Sequence, residues 1–208
     1  HASVFFSTAK VDPADLPGAG IVEMFFVDAH APGVEILEDW NGFGMRSSES
    51  HSVRYDGVKS ASILGFPNYL DLMQPTSYWA HQFAAIPLGC AKTILDALGK
   101  PTPQAPSLRL RLAEAQMRYE AMRAYLLETA DGFRLAAGPA YAARVLRTKT
   151  CVTQGAAKLC AEMVALSGGR HYSRSSPVAR TFADAFAGTA IRPPLALGLE
   201  TLAGEFEP

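Results

Sequence analysis

The residues best suited to metal binding or nucleophilic chemistry are scattered in this sequence. His1, His30, His51, His81 and His171 show no paired spacing such as HxxxH. A lone histidine is more often a satisfied or surface residue than a ligand. Cys90, Cys151 and Cys160 are too few and too far apart for a disulfide framework or a metal cluster, and they fit a reducing, cytosolic setting. No GxSxG nucleophile elbow, no GxxxxGK[ST] and no GxGxxG occurs. Gly18-Ala19-Gly20 falls in a turn cluster between two apolar runs, not between a strand and a helix, so it is not a phosphate loop. What remains are three longer stretches, at 39–58, 154–172 and 176–185, where polar and glycine residues stand in a fixed order.

The elements that must carry those stretches change character along the chain. The first 66 residues read as β structure, with short runs rich in Val, Ile and Phe at Ser3–Thr8, Ile21–Val27, Val34–Leu37, Ser52–Tyr55 and Lys59–Leu64. Asp12–Gly20 and Asp56-Gly57 are turn clusters between them. From Asn68 onward Ala and Leu recur at helical spacing. A helical run covers 76–99, with Pro87 expected to kink it or break it one turn earlier, and Gly99-Lys-Pro-Thr-Pro stops it. Leu108, Leu112, Ala115, Tyr119, Met122 and Leu126 form a single stripe, with Ser107 as N-cap after Pro106. Leu110, Ala113, Met117, Ala121 and Ala124 form a second apolar set on the same helix, which predicts a dimer or tetramer. Gly138-Pro139 opens a long helix with the stripe Val152, Ala156, Leu159, Met163 and Leu166, ended by Gly168-Gly169. Ser175-Ser176-Pro177 opens a shorter helix, with a serine as cap and proline in the first turn, and Leu195–Phe206 closes the chain's helical part.

Strands first and helices after, without βαβ alternation, predict an α+β chain: a partial antiparallel β domain over 1–66, then an up-down four-helix bundle over 67–208. The balance of 19 Lys+Arg against 20 Asp+Glu argues against a nucleic-acid partner. No apolar run reaches the ~18–20 residues of a membrane span. The first residues have no charged segment followed by an apolar one, so they do not read as a signal peptide.

The three ordered stretches resemble the acyl-CoA dehydrogenase family. In the first, Trp40, Gly44, Arg46, Ser48, Ser50, Val53, Tyr55 and Val58 fall in register with W-x-x-x-G-x-R-x-[ST]-x-[ST] and its continuation in the family's middle β domain. The second is similar to the family's helix ending in Gly-Gly before an aromatic, here Gly168, Gly169 and Tyr172. The third, Ser176-Pro-Val-Ala-Arg-Thr-Phe-Ala-Asp-Ala185, is close to SP-x-x-R-x-x-R-D-A, with Ala183 in place of the second arginine. The resemblance implies an oxidoreductase that binds FAD between a β domain and a helical bundle. It dehydrogenates an acyl-CoA thioester at the α,β bond and is reoxidised by electron-transfer flavoprotein or oxygen. It implies Arg46, Ser48, Ser50, Gly168 and Gly169 as cofactor contacts. Arg46 and the serines otherwise simply stabilise a turn, and the glycines a helix end. Arg180 and Asp184, at i and i+4, are spaced to pair with each other.

Several family features are missing. The glutamate that abstracts the substrate proton has no counterpart. One local match puts Ala187 in its place, counting forward from Asp184 lands near Arg192, and the alternative position on the first bundle helix is Trp79. Glu200, Glu205 and Glu207 come later, and nothing in the pattern selects them. The arginine of R-x-x-FG and the glutamine before Gly-Gly (here Ala165) are absent too. The catalytic residue is therefore unknown at this level. Two other roles stay open: a flavin-dependent monooxygenase on the same fold, with His81 or His171 in the reaction, and a degenerate partner subunit. The resemblance also implies that an N-terminal helical domain and the first half of the β domain precede this segment in the parent protein. The segment alone is then expected to bind FAD poorly, and its cut sheet to need a covering partner.

Overall fold

A computed structural model describes residues 3–60, 62–99, 106–134 and 138–206. The chain divides into two compact units, one formed by His1–Asn41 with Ser47–Pro75 and the other by Gly42–Arg46 with Thr76–Pro208.

The first unit is antiparallel throughout. β1 (Val4–Lys10) pairs with β2 (Val22–Asp28) from Val4 opposite Asp28 to Lys10 opposite Val22. The 12–20 turn cluster separates them, with the Asp12 carboxylate accepting the Ala14 N–H at 2.9 Å. β5 (Ser62–Ile63) adds to the other edge of β2, giving the order β1-β2-β5. It is much shorter than the expected 59–64 run, part of which lies outside the described residues. β3 (Val34–Ile36) and β4 (Val53–Tyr55) form a separate pair, and Tyr55 Oη meets Ser7 Oγ of β1 at 2.5 Å.

Alternation along β2 turns Glu23 and Val27 inward. Glu23 is 1% exposed, and one of its oxygens accepts the N–H groups of Gly20 at 2.8 Å and Asn68 at 2.5 Å. The carboxylate thereby ties the 18–20 turn to the start of α1 (Tyr69–Met73).

The second unit is helical. α2 (Pro75–Trp79) and a 3-10 turn (Ala80–Ala84) lead into α3 (Ala85–Leu98). The expected 76–99 helix is thus broken one turn before Pro87, which sits in the first turn of α3, where its missing N–H costs nothing. α4 (Pro106–Asp131), α5 (Pro139–Leu166) and α6 (Pro177–Ala187) complete a four-helix bundle, and α7 (Leu195–Ala203) packs on α5. The core joins Ile94 and Leu95 of α3, Tyr119 and Met122 of α4, Val152 and Leu159 of α5, and Val178 and Ala185 of α6.

Four local expectations are corrected. α4 begins at Pro106, so Ser107 lies inside its first turn and does not cap it. Leu166 is 46% exposed because the last turn of α5 runs past the core. Ser176 has the backbone of an N-cap but makes no side-chain cap bond; its Oγ lies 3.3 Å from His171 Nδ1. Arg180 and Asp184 do not pair: the arginine donates to the Ser175 carbonyl at 3.2 Å, and the aspartate turns to Met45.

Candidate functional site

Within the helical unit, residues 42–46 lie on α6. Gly44 is buried there, and a Cβ on it would stand 2.0 Å from the Ala183 carbonyl oxygen. Only glycine permits that approach. The next residue, Met45, has φ 53° and donates its N–H to Asp184 Oδ1 at 2.6 Å. Phe43 meets Phe186 edge-on at 6.5 Å. Arg46 follows and opens a 3-10 turn over Arg46–Ser48, its side chain exposed.

In the β unit, Ser48 and Ser50 are exposed and their hydroxyls are 2.8 Å apart. Trp40 N–H donates to His51 Nδ1 at 2.9 Å, and Ser52 N–H donates to Asp39 Oδ1 at 2.8 Å. The bonds from Ser52 hold the Asp39 carboxyl below its ordinary value.

Gly168 and Gly169 stand where α5 gives way to a 3-10 turn over Gly169–His171. Gly168 has φ 82°, and an added Cβ at either glycine meets nothing within 4 Å. Their carbonyls accept the N–H groups of His171 and Tyr172, each at 3.1 Å. Of the five residues singled out for cofactor contact, Ser48 and Ser50 are therefore brought together. Arg46 belongs to the segment held on α6, and the glycine pair forms an open corner of the bundle. A cavity of about 510 Å³ near that corner is lined by Arg111, Glu114, Arg118 and Glu162 with Met163, Ala165 and Leu166. Its arginines are already neutralised, by Glu114 at 2.8 Å and Glu162 at 2.5 Å.

The three positions that the family pattern points to for a general base, 79, 187 and 192, carry no carboxylate. Trp79 ends α2 and is 36% exposed. Ala187 ends α6, and Arg192 is exposed in the turn beyond it. Glu205 is engaged by Arg147, Glu200 is exposed on α7, and Glu207 lies outside the described residues. His81 is 8% exposed, and its Nδ1 has no hydrogen-bond partner among the described residues. Burial lowers its pKa, with the Tyr78 backbone opposing the shift. Among the described residues no group of His, Cys, Asp and Glu is placed to hold a metal ion, and no helix is long and apolar enough to cross a membrane.

The roles of two polar side chains of the helical unit are not readable from motifs. Asp184 matches the aspartate of the third ordered stretch, but its bond to the Met45 N–H is not readable from that pattern. Lys149 is 1% exposed on α5, with its ammonium among backbone carbonyls. The signal was present: Lys149 precedes Val152 by three residues, so it extends the α5 apolar stripe backward with a charged residue.

Residues 94–191 match the family model described as "Acyl-CoA dehydrogenase, C-terminal domain". The structure is similar to butyryl-CoA dehydrogenase from Megasphaera elsdenii, with TM-score 0.81 and 21% identity, covering 99% of this chain and 56% of that one. It is also similar to dibenzothiophene monooxygenase from Paenibacillus sp. A11-2, with TM-score 0.78 and 21% identity, covering 98% and 60%. In sequence it is 29% identical over 182 residues to an amino sugar nitrososynthase of Streptomyces peucetius, covering 78% of this chain and 45% of the relative. The structural likenesses establish the fold. The chain spans about half the length of the curated relatives it matches.

Proposed function

From a chain whose residues 94–191 belong to the acyl-CoA dehydrogenase family as its C-terminal helical domain, we propose that the intact protein is an FAD-dependent oxidoreductase acting on an acyl-CoA or related thioester. Members of this family generally bind FAD. The observation that carries the reading is that family match, on a bundle whose Gly168–Gly169 corner leaves backbone open to a ligand. The residues present fit the cofactor's chemistry. The exposed Ser48 and Ser50 hydroxyls can donate to phosphate or carbonyl oxygens, Arg46 can neutralise a phosphate, and the glycine pair admits a flat or anionic group close to the main chain. When bound, FAD supplies a hydride acceptor. Gly44 and Asp184 set the path of the chain into Arg46, so within the helical unit they position that residue's backbone rather than contact a ligand.

Dehydrogenation also requires a base for the substrate α-proton, and Trp79, Ala187 and Arg192 supply none. That observation favours a second reading, a flavin-dependent monooxygenase on the same fold. There the group held ready would be a buried neutral histidine, His81, in place of a carboxylate. Electron-transfer flavoprotein or oxygen would be the reoxidant, and the assembly a homodimer or homotetramer in the cytoplasm.

Two measurements on the intact protein separate the readings. A bound flavin spectrum supports both, and a colourless protein that takes up no FAD contradicts both and leaves a degenerate partner subunit. Anaerobic mixing with an acyl-CoA panel is expected to bleach the flavin of a dehydrogenase without NAD(P)H. Bleaching that needs NAD(P)H, followed by oxygen uptake, identifies a monooxygenase.

A further inference from the structure

A buried ammonium is costly unless every proton finds an acceptor. Lys149, 1% exposed on α5, meets that condition without a carboxylate. Its Nζ donates to the carbonyls of Ile191 at 2.8 Å, Pro193 at 2.5 Å and Gly188 at 3.3 Å. An ammonium has three donors, and all three are used.

The acceptors share one location. They belong to the turn that follows α6, where a helix leaves its last carbonyls unpaired and where its dipole favours a cation. The rest of that turn is closed on other sides. Ala187 O accepts the N–H groups of Ala190 at 2.9 Å and Ile191 at 3.1 Å, and Thr189 O accepts Leu195 N–H at 2.9 Å. Gly188 is pressed on Pro87, so that a Cβ there would stand 2.7 Å from the proline Cγ. The carbonyls on either side of Arg192 go to the same nitrogen, which holds that residue's backbone from both sides while its side chain stays exposed.

We propose that Lys149 is a positioning residue of the reacting site: its ammonium fixes the 188–193 turn, and through it the placement of residues 187 and 192. These are two of the positions at which the site's chemistry departs from a carboxylate base, so the role rests on the flavoenzyme reading above. The pinning itself does not. A side chain with fewer donors leaves buried carbonyls unmatched, and methionine, of similar length, leaves all three so.

The test uses the intact protein with Lys149→Met and Lys149→Gln. Hydrogen exchange in peptides covering 187–195 is expected to speed up about ten-fold or more in the methionine variant, less in the glutamine variant, with α4 unchanged. Flavin content should stay as in the parent, while kcat for substrate-dependent flavin turnover falls about ten-fold and KM changes less. Lys149→Arg should not restore it, because a planar guanidinium cannot reproduce three converging bonds. If the methionine variant fails to fold, the glutamine variant decides. Unchanged exchange at 187–195 overturns the proposal, as does an equal rise across the bundle. A yellow protein with a loosened turn but unaltered turnover overturns the positioning role alone. A parent that takes up no flavin overturns the flavoenzyme reading, while the exchange result still decides the pinning.

Discussion

Cys160 is buried on α5, and burial pushes its thiol up to about 12, with Cys90 nearby adding to the shift. Cys90 is half-buried and also raised, by burial and then by the Asp184 carboxylate, whereas Cys151 is exposed. Thiol reagents at neutral pH are therefore expected to modify Cys151 first, Cys90 slowly, and Cys160 only on unfolding. Mass spectrometry of partially labelled protein checks the order, and early labelling of Cys160 would contradict it. His81 gives a second prediction at this scale. Its folded pKa lies below its ordinary value of 6.5, so the unfolded chain binds a proton first on acidification. Its contribution is intact above pH 6.5 and is lost as pH falls from there to the folded pKa. His81→Gln should remove that part of the acid destabilisation in denaturant titrations run between neutral and mildly acidic pH. Motif reading found the serines, arginine and glycines because a pattern names residue types in order. Asp184 is legible as a motif position but not in its role, and Lys149 in neither, because both roles depend on which main-chain groups the fold brings to them.

At the scale of elements, the 42–46 segment and α6 form one joint. Gly44 allows backbone contact with Ala183, and Asp184 accepts the Met45 N–H at 2.6 Å. Asp184→Ala should cost ~1–3 kcal/mol, the range for an unmatched polar group. Gly44→Ala should cost ~1–3 kcal/mol or more through overpacking against a main-chain oxygen. Chemical denaturation measures both, and two near-neutral variants would show that the joint carries no energy. Helix positions were largely legible in the sequence, since Pro87, Pro139 and Pro177 each mark a first turn and periodicity marks the bodies between. Capping was less so. Ser107 and Ser176 have the right residue type, but a cap depends on where the first turn starts and where the hydroxyl finds a partner. The Arg180–Asp184 pairing failed for the same reason. Spacing permits a pair, and a better-placed N–H takes the carboxylate.

For the whole molecule, the order of strands before helices was readable from the change in periodicity at Asn68, and the fold agrees with it. What spacing alone could not supply is the partner of each exposed apolar face. Leu110 and Met117 on α4 are 69% and 67% exposed, and Ala113, Ala121 and Ala124 lie exposed beside them. In the proposed homo-oligomer this face is covered by another copy. Leu110→Glu with Met117→Glu should then shift the intact protein toward monomer in light scattering, and an unchanged assembly would place the interface elsewhere. The most direct measurement of the central claim is the absorption spectrum of the intact protein after incubation with FAD and removal of excess. The account predicts a protein-bound flavin spectrum at roughly one FAD per chain. A protein that stays colourless, with its helices intact by circular dichroism, would contradict it.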